Sequence, residues 1–119
     1  MSPLSHGQIV WAEMKDSQGR NPKVRPAVVI LSSDATPADT SVWLVGISTN
    51  LDAARSSDQV ILPSDPKKHP TTGFIKESAA VCTWMEKVPL SKIGPVAGKV
   101  PGRELIAIMK KIGEVPPSA

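Results

Sequence analysis

The sequence predicts a mainly β fold: a small, curved antiparallel β-barrel of the SH3-like kind with one C-terminal amphipathic helix. Three observations lead there. Short β-rich runs alternate with polar, turn-forming stretches, and 12 prolines and 8 glycines punctuate the chain too often for long helices. Helical spacing of apolar residues stands out near the C-terminus, at Leu105, Ile108, Met109 and Ile112. The length, 119 residues, suits one domain with a single core at about 7–113 and leaves no room for an elaborate second lobe.

Taken in order, residues 1–6 read as a loose leader. Gln8 to Met14 reads as the first strand, with Val10 and Trp11 as packing residues. Pro26 is tolerable near a strand start, and Ala27 to Leu31 is continuously apolar and largely β-branched, which predicts a buried second strand. Ser32 to Thr40 is a turn-rich link. Ser41 to Ile47 forms the third strand, and Gln59 to Leu62 the fourth, stopped by Pro63. Asp65 to Thr72 is an exposed loop by composition. Ser78 to Val88 makes a fifth strand whose alternation puts Ala80, Cys82 and Trp84 on one face and Val81, Thr83 and Met85 on the other. A short sixth strand falls near Gly94 to Lys99. Pro101 suits the first turn of the closing helix and Gly113 its stop, after which 114–119 frays.

Composition narrows the function classes. Fourteen Lys and Arg against 11 Asp and Glu give a net charge of +3, which favours a polyanionic partner. The positive charge is locally concentrated: Lys15, Arg20, Lys23 and Arg25 face a single acid, Asp16, in the polar segment joining the first two strands. Cys82 is the only cysteine, so an intramolecular disulfide is impossible and a reducing compartment is the simpler reading. No signal peptide and no membrane span is evident, so the protein is expected to be soluble and cytoplasmic. Two histidines and one cysteine at unrelated spacings argue against a zinc site, and no glycine-rich phosphate loop occurs, so neither metal nor cofactor is expected. With no tyrosine and one phenylalanine, an aromatic groove for Pro-rich peptide is hard to build.

Gly7-Gln8-Ile9-Val10-Trp11 together with Arg25-Pro26-Ala27-Val28-Val29 resembles the opening of the MazF/PemK family of toxin ribonucleases. Val45-Gly46-Ile47-Ser48-Thr49, Gly73 to Cys82 and Gly98 to Ile112 extend the similarity over most of the chain. The resemblance implies a metal-independent endoribonuclease that cleaves single-stranded RNA, works as a homodimer and is neutralised by an acidic antitoxin protein. In that family the second strand opens on an Arg-Pro step that delivers an arginine to the RNA-cleaving site, which matches Arg25.

Such cleavage uses the 2′-hydroxyl of the substrate as nucleophile. The protein must stabilise charge on the phosphoryl oxygens and move two protons. Arg25, a planar and permanently charged fork, is the expected transition-state stabiliser. Ser48 and Thr49 are expected to bond a phosphate oxygen or orient the 2′-hydroxyl, and Lys15, Arg20 and Lys23 to hold the RNA backbone. No general base is identified. His6 lies in the leader and His69 in a loop beside Lys67 and Lys68. Cys82 reads as a core residue, and Trp11, Trp43 and Trp84 as core or dimer packing rather than base-stacking surfaces. Ser48 stands where many active relatives carry threonine, and Val81 and Thr83 stand where some carry an arginine and an aspartate. A second reading therefore stays open, a catalytically attenuated RNA-binding or regulatory relative on the same fold.

Overall fold

The structure, a computed structural model, describes residues 5–15, 19–30, 41–48, 59–65, 67, 71–74 and 76–114. Among the described residues six strands and one long helix follow in chain order: β1 (Gln8–Met14), β2 (Lys23–Ile30), β3 (Ser41–Ser48), β4 (Gln59–Leu62), β5 (Ser78–Pro89), a 3-10 turn at Leu90–Lys92, β6 (Ile93–Lys99) and α1 (Gly102–Glu114). The strands form one antiparallel sheet in the order β4-β5-β3-β2-β1-β6, with β4 and β6 at its ends. The sheet is thus open, not a closed barrel. It nevertheless curls. β1 and β5 are not neighbours, yet the Lys15 amide donates to Glu86 Oε1 at 3.1 Å and the Trp84 indole N–H donates to the Lys15 carbonyl at 3.0 Å.

The curl separates two apolar clusters. On one face Ile9, Val28, Val45, Ile47, Val60, Leu62, Ala80 and Cys82 are covered by α1 through Leu105, Ala107, Ile108 and Ile112. On the other, Val10, Ala12, Met14, Ala27, Val29, Val42, Leu44 and Val88 fill the concave side. Strands buried on both faces explain the continuous apolar run from Ala27 to Ile30. Gly7 joins sheet and helix. Its N–H donates to the Val29 carbonyl at 2.8 Å, and its carbonyl accepts from the Val100 amide at 2.9 Å. Its backbone is left-handed (φ 89°), and a Cβ there would stand 2.8 Å from Leu105. Glycine alone meets both demands easily.

Several elements depart from the sequence expectation. β2 begins at Lys23, so Arg25 and Pro26 lie inside the strand; Pro26 pairs with Trp11 of β1, while the ladder to β3 starts only at Ala27. No ladder bond to β3 is therefore lost at the proline. Pro101 precedes α1, and its carbonyl accepts the Leu105 amide at 3.0 Å. The inward face of the helix centres on Ile108 and turns toward Ala107, leaving Met109 at 37% exposure and Ile106 at 72%. Leu105, seated over the notch at Gly7, fixes that rotation. Trp11 and Trp43, expected as core or dimer packing, are 40% and 37% exposed, so neither belongs to the core.

The largest departure is on β5. Strict alternation fails, because Met85 joins the helix-covered cluster with Ala80 and Cys82, while Trp84 packs on the concave one. The register gives the reason. Val45 pairs with Met85 and Ile47 with Ala80, so Val81 to Trp84 stand opposite the single residue Gly46. An irregularity of this kind bends the strand and re-aims its side chains. Residues 31–40, half of the Asp65 to Thr72 loop including Lys68 and His69, and 115–119 lie outside the described residues.

Candidate functional site

The concave face opens at the β1–β2 hairpin, where the basic residues gather. Gly19 (φ 77°) and Asn21 (φ 54°) take left-handed conformations that turn the chain back. Arg25 follows on β2, paired with Ala12 of β1 and half-buried. Its side chain folds back along the hairpin. Nε donates to the Met14 carbonyl at 3.2 Å, Nη2 donates to the Asn21 carbonyl at 2.8 Å, and the guanidinium carbon lies 5.6 Å from the centroid of the Trp84 ring. The last distance is within cation–π range. These contacts hold the fork against the hairpin and the indole ring.

Ser48 ends β3, paired with Ala79 of β5 and half-buried. It shares a strand face with Gly46, which pairs with Ala27. Two residues further along each strand stand Arg25 and Ser48, so the hydroxyl and the guanidinium come from adjacent strands on the same concave side. Thr49 lies outside the described residues. Lys15, Arg20 and Lys23 are all exposed and ring the hairpin, with Lys23 opposite Met14. Glu13, the acid beside them on β1, pairs with Lys92 at 3.6 Å.

Other residues weighed in the sequence fall elsewhere. Cys82 is buried at 2% exposure in the helix-covered core. Val81 is buried opposite Gln59 of β4, and Thr83 is exposed within the shifted stretch of β5. His6 is half-buried just ahead of β1. Among the described residues no group of three or more His, Cys, Asp or Glu could hold a metal ion, and no helix is long and apolar enough to cross a membrane.

Sequence reasoning missed Trp84, Glu86 and Gly46 as parts of this region. Any Cβ at Gly46 would overlap the Trp84 indole, so the ring lies directly over the β3 backbone. A glycine inside an apolar strand was the available signal, since it marks close approach by another group.

The chain matches the family model described as PemK-like, MazF-like toxin of type II toxin-antitoxin system over residues 5–115. No curated protein matches it. Among solved structures, MazF (Form-I) from Deinococcus radiodurans superposes with a TM-score of 0.71 at 16% identity, covering 96% of each chain. The Mycobacterium tuberculosis toxin MazF-mt6 gives 0.63 at 18% identity, covering 90% of this chain and 94% of that one. An endoribonuclease in complex with its cognate antitoxin, from a mycobacterial species, gives 0.65 at 16% identity over 98% and 100%.

Proposed function

Since the chain belongs to the PemK-like, MazF-like toxins of type II toxin-antitoxin systems, we propose that it is a metal-independent endoribonuclease acting on single-stranded RNA. The observation that carries this reading is Arg25, an arginine fork held by the β1–β2 hairpin on the same sheet face as Ser48, with Lys15, Arg20 and Lys23 exposed on that hairpin. The lysines and Arg20 hold the phosphates of neighbouring nucleotides. Arg25 bonds the non-bridging oxygens of the scissile phosphate, where negative charge grows as the 2′-oxygen attacks. The bond to the 5′-oxygen then breaks, leaving a 2′,3′-cyclic phosphate and a 5′-hydroxyl. Ser48, and Thr49 beyond it, orient the 2′-hydroxyl or accept a phosphate contact. A base takes the 2′-hydroxyl proton and an acid protonates the departing 5′-oxygen, and neither role is assigned to a residue.

The mycobacterial endoribonuclease solved with its cognate antitoxin supports one further part of the proposal, an antitoxin partner. An acidic antitoxin segment occupies the basic path meant for RNA, and the active unit is a homodimer whose paired hairpins border a longer groove. An attenuated RNA-binding role is the second reading, favoured by the burial of Val81 and by the neutral Thr83, which put no ionisable group at either β5 position. Incubating the purified protein with a long unstructured RNA, with and without chelator, separates the two. Chelator-resistant cleavage to cyclic-phosphate ends supports the enzyme; binding with no cleavage supports the attenuated relative.

A further inference from the structure

Two consecutive carbonyls at the end of β1 hold two different side chains. The Met14 carbonyl accepts from Arg25 Nε and the Lys15 carbonyl accepts from Trp84 Nε1, while the Lys15 amide is itself tied to Glu86. The guanidinium and the indole so held face each other at 5.6 Å. The ring arrives there from β5, two strands away from β2, because Val81 to Trp84 bulge opposite Gly46 and because Gly46 has no Cβ to block it. A tryptophan that only filled core would need neither the bulge nor the bare backbone beneath it. It would also not need its indole N–H bonded to the residue next to the one that binds Arg25.

We propose that Trp84 is a positioning residue for Arg25: its ring, laid over Gly46 and latched to the Lys15 carbonyl, holds the guanidinium in the orientation that meets the scissile phosphate. The inference rests on the proposed ribonuclease reading for its kinetic consequence, though not for its geometric one. A planar ring beside a planar fork restricts rotation of the guanidinium, while the cation–π attraction leaves the charge in place for a phosphate. Because Trp84 does not touch substrate in this role, its loss should slow the chemical step without weakening RNA binding. A misplacement of about 1 Å can cost about 10²-fold in rate.

The test compares W84L and W84F with the unmodified protein in two measurements. Cleavage of a labelled single-stranded RNA should show kcat falling about 10²-fold in W84L. It should fall several-fold in W84F, which keeps a weaker ring but loses the indole N–H, with KM nearly unchanged in both. In parallel, the Arg25 Nε–H resonance, assigned by its loss in R25A, should move from its ring-shifted position and exchange faster with water in W84L, and do so to a smaller degree in W84F. If the unmodified protein cleaves no RNA, the ribonuclease reading fails and the resonance alone decides the positioning claim. If W84L does not fold, W84F carries both measurements. An Arg25 resonance unmoved in W84F and W84L overturns the proposal. So does a rise in KM at constant kcat, which would make Trp84 a surface for stacking RNA bases.

Discussion

Replacing Arg25 with alanine separates charge stabilisation from fold maintenance, because the two effects differ in size. Arg25 makes two hydrogen bonds to backbone carbonyls, one part-buried and one exposed, and one cation–π contact. Hydrogen bonds of this kind contribute about 1 kcal/mol or less each, and the ring contact about 0.5–1 kcal/mol, so R25A should lose roughly 1–3 kcal/mol of stability. Against the roughly 5–15 kcal/mol typical of a domain, that leaves nearly every molecule folded at 25 °C. The cost to the reaction is larger. Removing one preorganised donor from a developing oxyanion typically lowers the rate about 10²–10³-fold, or about 2.7–4 kcal/mol. Unfolding on the scale predicted cannot produce such a loss. R25K should recover little, since an ammonium keeps the charge but lacks the fork that is bonded at both ends here. Single-turnover cleavage of a labelled single-stranded RNA, run beside urea denaturation of each variant, is the assay. Cleavage by R25A at the unmodified rate would refute the reasoning, as would a rate loss that matches the fraction unfolded.

Ser48 and Thr49 should be partly redundant, so S48A alone is expected to lose modest activity and S48A/T49A more than the two singles combined, read by single-turnover rates; full activity in the double variant would reduce the pair to a turn. Removing Lys15 and Lys23 together should flatten the salt dependence of RNA binding by about 0.7 for each phosphate that is no longer neutralised, measured as the slope of log K against log salt. Ile108, fully buried on the inward face of α1, should cost about 2–5 kcal/mol when cut to alanine, seen as a shifted urea midpoint; a shift below about 1 kcal/mol would mean that α1 contributes little to the core. The active species should scatter light as a homodimer at micromolar concentration, and a monomer cleaving at full rate would remove the dimer from the proposal.

The strands were legible because their signals are local. Gln8 to Met14 and Gln59 to Leu62 occupy the ranges that composition and turn residues indicate, and the closing helix lies where its apolar spacing puts it. What the helix faces was less legible. Met109 fits the apolar stripe by spacing, but the notch at Gly7 takes Leu105 and turns the inward sector past it. Hydrophobic periodicity specifies that a face exists; the partner surface chooses its rotation.

The candidate site divides along the same line. Arg25 stands out in the chain because proline follows it, and its neighbours Lys15, Arg20 and Lys23 are close in sequence. Trp84 lies far along the chain from Arg25, and alternation along β5 assigns it to the face with Cys82. Only the stretch of four residues opposite Gly46 sends it to the concave side instead. That irregularity exists in the pairing of two strands and in neither strand alone, so no period read from β5 can contain it. Gly46 is its trace in the sequence, and an ambiguous one. A glycine in an apolar strand announces that something comes close without saying what. The candidate arginine could therefore be named from the sequence, whereas the ring proposed to orient it required the fold.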